Sequence, residues 1–266
     1  VRISGHVPWR NKQEDAPVNR YQIISPDGAL GKMLLAGRAE CQLLGLRLGG
    51  GPWDGDFARA VRLLVPRYTM VSVRRLKVLY ELGAELGRGG PAGAVVECGV
   101  WNGGSSAMVA AGLGRAGGAA RPFWLFDSFA GLPDPTEDDG ERVRAAHFPG
   151  WCTGAEGRVL EAHRLVGHGL RPAAIVPGWF DDTLERNRAA VGPIALLHID
   201  ADWYDSVLAV LRAFYAQVVA GGTVVIDDYG AWAGCRKAVH DYFGEGGLRG
   251  LGLRPIDGNG VYFKKP

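Results

Sequence analysis

Four aspartates carry the chemistry this sequence makes available. Asp200 and Asp202 follow the apolar run Ile194-Ala-Leu-Leu-His-Ile, and Asp227 and Asp228 follow Thr223-Val-Val-Ile. Short runs of β-branched and apolar residues bounded by Gly and Pro read as buried parallel strands, and an open α/β sheet forms its ligand crevice at the carboxyl ends of such strands. Neighbouring strands lie about 4.7–4.9 Å apart, so if these two are adjacent their terminal acids converge on one hard divalent cation. Mg²⁺ takes near-octahedral oxygen coordination, keeps several waters and uses few protein carboxylates. Asp200, Asp227 and Asp228 are therefore the expected metal ligands, with positions left for two substrate oxygens. A hydroxyl bound to a divalent cation becomes more acidic, and a nearby carboxylate then takes its proton. Asp202, past the strand end where the chain can turn back, is the candidate catalytic base. Helix capping is the alternative role for any one of these acids, but four together without a cation would repel and raise one another's pKa values. His198 lies in the same run, as His-x-Asp-x-Asp, with no second His motif after it. It is expected to pack, or to support a ligand, rather than to be one.

The elements that must position these groups follow from hydrophobic patterning. From Ala94 onward the chain repeats strand, turn and helix. Strands are predicted at Ala94–Cys98, Phe123–Asp127, Ala173–Val176, Ile194–Asp200 and Thr223–Asp227. Helices are predicted to begin at Ser105–Gly112 and to lie around Ala155–Leu165, Asp181–Arg188 and Ser206–Val219. Leu251–Pro255, the turn Asp257-Gly-Asn-Gly260 and Val261–Lys264 read as a terminal β-hairpin. The predicted class is α/β: a mostly parallel, seven-stranded, Rossmann-like sheet with a C-terminal antiparallel hairpin, the architecture of a class I methyltransferase. Residues 1–93 read as a helical extension without strands, and residues 94–266 as the sheet domain. Within the extension, helices are expected at Asp56–Val65 and Val71–Leu86. In the second, Val71, Leu76, Leu79, Leu82 and Leu86 largely keep the three-and-four spacing of one buried face. The first ~50 residues, rich in Pro, Gly and charge, read as an arm that folds over the site or onto another subunit of a homo-oligomer.

A nucleoside site is legible beside the acids. Glu97-Cys-Gly-Val-Trp-Asn-Gly-Gly-Ser105 forms the first strand-to-helix turn, where Gly99 and Gly103 permit tight backbone geometry and the helix start offers free N–H groups. The spacing is E-x-G-x-x-x-G, not the dinucleotide form G-x-G-x-x-G. It is similar to the S-adenosylmethionine loop, whose ligand carries no diphosphate, and marks Glu97, Gly99, Trp101 and Ser105 as candidate cofactor contacts. Asp127, about 20–30 positions later at the end of the next strand, is placed to accept both hydrogen bonds of a ribose diol, although an Asp there also serves as a turn cap. Gly178, Trp179 and Phe180, in Pro177-Gly-Trp-Phe-Asp-Asp182, fall near the expected adenine position, with Trp179 and Phe180 equally readable as core.

Composition narrows the classes. A chain of 266 residues, 47% hydrophobic, is long enough for one large domain or a core with an extension. Its net charge of +2 comes from interspersed acids and bases, with no basic stripe for nucleic acid. Cys41, Cys98, Cys152 and Cys235 are scattered without metal-like spacing, as expected of reduced thiols in a cytoplasm. No apolar run approaches the ~20 residues that cross a bilayer, so neither a membrane nor nucleic acid is an expected partner.

Three stretches together resemble the macrocin O-methyltransferase family, the sugar O-methyltransferases of antibiotic biosynthesis. They are Tyr68-Thr-Met-Val-Ser72, Phe126-Asp-Ser-Phe-Ala-Gly-Leu-Pro133, and His198-Ile-Asp-Ala-Asp-Trp-Tyr-Asp-Ser206 followed by Asp227-Asp-Tyr-Gly230. The resemblance implies Mg²⁺-dependent transfer of methyl from S-adenosyl-L-methionine to a hydroxyl of a deoxysugar on a natural-product scaffold. It carries over Asp200, Asp227 and Asp228 as ligands and Asp202 as base. It also implies that Thr69 and Met70 touch the cofactor, with Glu97, Asp127 and Ser128 around it. Relatives often have Arg where this chain has His198, and Gly where it has Ala201. The acid-rich segment Asp134–Cys152 reads as a lid or as a self-packed surface loop. Catechol-type methyl transfer to a phenol, an NAD(P)-dependent oxidoreductase and a non-catalytic scaffold are the competing readings.

Overall fold

The structure is a computed structural model that describes residues 29–48, 54–118, 120–171 and 174–266. Three helices come first: α1 (Ala29–Leu48), α2 (Gly55–Leu64) and α3 (Val73–Gly87). Ser72 caps α3 by accepting the Arg75 N–H, which satisfies one of the donors a helix start leaves open. The predicted stripe on α3 is buried at Leu76, Leu79, Leu82 and Leu86, while Val71 precedes the helix and is only partly buried. It lies against α4 (Gly104–Arg115) at backbone distance. A β-carbon at Gly83 would run into the Val109 carbonyl, and one at Gly112 into the Tyr80 carbonyl.

The alternating half follows as β1 (Ala94–Cys98), α4, β2 (Phe123–Asp127), α5 (Glu141–Ala146), α6 (Glu156–Leu165), β3 (Ile175–Pro177), α7 (Phe180–Val191), β4 (Ile194–Ile199), α8 (Tyr204–Phe214), β5 (Val218–Ile226), α9 (Ala233–Leu251), β6 (Arg254–Pro255) and β7 (Val261–Lys264). The strands form one sheet in the order β3-β2-β1-β4-β5-β7-β6. β7 runs antiparallel to β5 and β6, and the other pairs are parallel. Every residue of β1 and β4 is buried, as a strand covered on both faces requires. Val95 and Leu125 join the core under α2, α3, α4 and α6, whereas Val96, Phe126 and Leu197 join the one under α7, α8 and α9.

Three differences from the predicted elements have local causes. β5 begins at Val218, inside the stretch predicted as helix, because Gly221 at φ 74° absorbs a register shift against β4. Helix α9 was hidden by five glycines, one of which, Gly244 at φ 63°, breaks it into two helical pieces. Its C-terminal end takes Leu251, leaving only Arg254–Pro255 for the first hairpin strand. The predicted arm lies largely outside the described residues, as does Ala173 of the third strand, and residues 29–48 of the arm form α1. Before β1 no strand occurs among the described residues.

Candidate active site

The parallel register brings the strand ends to one level. Cys98 pairs with Ile199, and Ile199 with Ile226, so the next residues, Gly99, Asp200 and Asp227, stand side by side. Backbone bonds continue past the strands: Asp200 N–H donates to Cys98 O and Asp227 N–H to Ile199 O, both at 2.9 Å. Gly99 must be glycine, since it sits at φ 87° and a β-carbon would collide with the Asp200 carbonyl. The chain then turns so that Asp202 takes φ 54°, and Trp232 Nε1–H donates to its Oδ1 at 2.7 Å. Ala201 has no positive φ and accepts a side chain without strain. Among the described residues, the non-glycine ones with positive φ, Trp101, Phe129, Cys152 and Asp202, all lie at or next to the cavities described below. Such concentrated backbone strain is common at working sites.

The acids are crowded. Burial, then repulsion from Asp227, Asp228 and Asp202, holds the Asp200 carboxyl well above the usual range. Asp228 is raised too, by burial first and then by repulsion from Asp202 and Asp227, with Arg75 opposing. Asp202 is pushed up to about 7, chiefly by burial, with the Trp232 hydrogen bond working against it. Asp227 is clamped by a cation that sequence reasoning missed. Arg75, from α3, pairs through Nη1 with Asp227 Oδ2, while its Nε donates to Asp257 Oδ2 at 3.1 Å. Burial opposes the Arg75 charge, but Asp227 and Asp257 outweigh it and keep the guanidinium protonated.

Beneath them lies His198, 2% exposed, with Nδ1 at 2.8 Å from Glu97 Oε1 and Nε2 at 3.7 Å from Asp227 Oδ1. Burial favours its neutral form, but the adjoining carboxylates of Asp227 and Glu97 prevail and raise the imidazole to about 9. His198, Asp200 and Asp227 have ligand atoms within 4.8 Å of one another, a spacing a metal ion can bridge. Buried Asp227 Oδ1, Asp228 Oδ2 and His198 Nε2 have no hydrogen-bond partner. Buried polar atoms are rarely left so, and a divalent cation fits both the donor set and the surplus negative charge.

Two adjoining cavities open on this level. One, of 280 Å³, is lined by Thr69, Met70, Gly99, Trp101, Ser105, Asp127 and all four aspartates. The other, of 290 Å³, is lined by Ser128, Gly178, Trp179 and Phe180, and shares Gly99, Asp127 and Asp200 with the first. The structure thus gathers the sequence-predicted residues, with one exception. Glu97 lines neither cavity; it is 1% exposed and its carboxylate is turned onto His198. Strand alternation explains this: in the β1–β4 register Glu97 faces His198, one layer below the rim. Asp127 accepts the Val100 and Trp101 N–H groups on Oδ2, at 2.6 and 2.8 Å, and the Phe129 N–H on Oδ1 at 2.6 Å. It fastens the glycine loop to β2 while lining both cavities. Trp179 is 44% exposed and so is not core. Trp232 and Asn259 also line the first cavity and were not anticipated, while Trp151 and Cys152 bring to it the end of the segment Asp134–Cys152 that reads as a lid.

The sequence matches the model of the family described as macrocin-O-methyltransferase (TylF) over residues 58–265. The chain belongs to the macrocin O-methyltransferase family. It is 37% identical over 204 residues to the 8-demethyl-8-(2,3-dimethoxy-alpha-L-rhamnosyl)-tetracenomycin-C 4'-O-methyltransferase of Streptomyces olivaceus, covering 74% of this chain and 75% of that one. Similarity to the demethyldecarbamoylnovobiocin O-methyltransferase of Streptomyces niveus is 31% over 201 residues, covering 74% and 76%. Among solved structures, the O-methyltransferase NovP superposes with a TM-score of 0.64 at 29% identity, over 89% of this chain and 98% of that one. The protein is therefore an O-methyltransferase of class I fold, and the oxidoreductase and scaffold readings are set aside. Among the described residues, no helix of this methyltransferase is long and apolar enough to cross a membrane.

Proposed function

We propose that this methyltransferase moves the methyl group of S-adenosylmethionine to a hydroxyl of a deoxysugar attached to a natural-product scaffold, with Mg²⁺ at the aspartates. The reading is carried by one observation: four carboxylates from two adjacent strand ends meet at a cavity that also reaches the glycine loop. The names of the relatives support the substrate class, the Streptomyces olivaceus enzyme acting on a rhamnosylated tetracenomycin.

In this reading Trp179 and Phe180 hold the adenine, Asp127 the ribose, and Ser105 with the start of α4 the methionine carboxylate. Thr69 and Met70 close over the cofactor from the segment before α3. Residues 1–93 act as the cover of the site, in a cytoplasmic homo-oligomer. Asp200, Asp227 and Asp228 hold the cation, with His198 behind them. Bound there, a divalent cation would lower the pKa of an acceptor hydroxyl and fix its position. The acceptor oxygen attacks the sulfonium methyl, the carbon–sulfur bond breaks with its electron pair passing to sulfur, and the hydroxyl proton goes to Asp202. A left-handed backbone and the Trp232 indole hold that carboxylate at the cavity wall.

The test is Asp200→Asn, assayed with glycosylated and aglycone acceptors by mass spectrometry for a gain of one methyl. Turnover should fall about 10²-fold or more, while S-adenosylhomocysteine affinity is largely kept. Full activity in this variant, or in EDTA, would refute the metal role. Methylation of the aglycone alone would point instead to a phenolic acceptor.

A further inference from the structure

The geometry points to Arg75 as the residue that limits Asp227 to a one-oxygen metal ligand and so selects a small octahedral cation over a larger one. This rests on the metal reading above. Of the two Asp227 oxygens, Oδ2 is taken by Arg75 Nη1, which also donates to the Asp227 backbone carbonyl at 3.3 Å. Oδ1 is buried and has no hydrogen-bond partner. The carboxylate therefore presents one oxygen to the cation group and keeps the other turned away.

Arg75 is itself held, so it cannot swing aside at little cost. Its side chain is 11% exposed, and Nε donates to Asp257 Oδ2. That carboxylate also takes the Ser72 Oγ–H on Oδ2 at 2.5 Å, and the Asn259 and Gly260 N–H groups on Oδ1 at 2.8 and 2.9 Å. One arginine thus ties the start of α3, the turn of the terminal hairpin and the end of β5 together. Only a planar fork can serve Asp257 and Asp227 at once.

Coordination chemistry gives the arrangement its consequence. Ca²⁺ takes six to eight oxygens and readily uses both oxygens of a carboxylate, whereas Mg²⁺ demands a tight octahedron with few carboxylates. Sequestering Oδ2 denies the larger ion its bidentate contact. Arg75 also repels any divalent cation, but that effect is the same for two ions of equal charge and cancels from their affinity ratio. The ratio is therefore the readout that a merely structural or electrostatic role would not move.

The experiment is calorimetric titration of MgCl₂ and of CaCl₂ into the protein bound to S-adenosylhomocysteine, for wild type, Arg75→Met and Asp257→Asn. In Arg75→Met the Ca²⁺-to-Mg²⁺ affinity ratio should rise roughly tenfold or more, the scale on which groups behind metal ligands act. Asp257→Asn, which keeps the turn but loosens Arg75, should move the ratio the same way by less, and it decides the matter should Arg75→Met fail to fold. Equal tightening of both ions, with an unchanged ratio, would overturn the inference. Wild-type protein that binds neither ion would overturn the metal reading, and this inference with it.

Discussion

Binding a divalent cation should expel protons from this site, because its carboxyls are buried against one another and raised. In the free protein burial and mutual repulsion hold the Asp200 and Asp228 carboxyls well above the usual range, so both resist ionisation. Asp202, raised to about 7, holds about half a proton at pH 7. A cation ligated by Asp200 and Asp228 requires both ionised and lowers the Asp202 pKa through its charge. Proton release is therefore expected at pH 7, with about half a proton per cation coming from Asp202 alone, a share that vanishes at higher pH where Asp202 is already ionised. The free form binds more protons than the loaded form, so Mg²⁺ affinity must rise with pH near pH 7. Calorimetry in two buffers of different ionisation enthalpy counts the protons directly. Asp228→Asn removes one of the raised carboxyls and should lower the number of protons released. Release of no protons by wild type at pH 7, with Mg²⁺ bound, would refute the crowding argument.

Two other predictions test the frame around the site. His163 is fully buried, with Nδ1 on His168 Nδ1 at 2.8 Å and Nε2 on Ser106 Oγ at 3.1 Å, and burial lowers its pKa from 6.5 to about 3. Below pH 6.5 the unfolded chain takes up a proton that the folded one refuses, so its stabilising contribution is lost as pH falls. Between pH 7 and pH 5 wild type should lose about 2 kcal/mol that His163→Gln does not. Urea denaturation at the two pH values measures the difference, and equal losses in both proteins would exclude the linkage. Gly99→Ala combines a positive φ with a backbone collision at Asp200, and should cost about 2–4 kcal/mol. The same melts should show it, together with weaker S-adenosylhomocysteine binding, and a variant of wild-type stability would contradict the assigned backbone.

Much of this arrangement was written locally. The apolar runs ending in Asp200 and Asp227, and the glycine loop after β1, read as strand ends because burial on both faces demands continuous apolar residues there. Helices α1 and α9 were not legible, since exposed Met33, Leu34 and Leu44 blur the face of one and glycines fill the other. Neither could composition reveal that Glu97 faces inward: an acid at the end of a strand looks the same whether its partner is a ligand or a buried histidine.

The primary structure by itself determined the strand and turn pattern and the supply of four carboxylates, because periodicity and turn chemistry act over a few residues. Tertiary structure alone decided that β4 lies between β1 and β5, that Arg75 and Asp257 meet Asp227, and that Trp232 reaches Asp202. Contacts between residues 152 and 30 positions apart depend on how whole elements pack, and no local pattern encodes the partner across that distance.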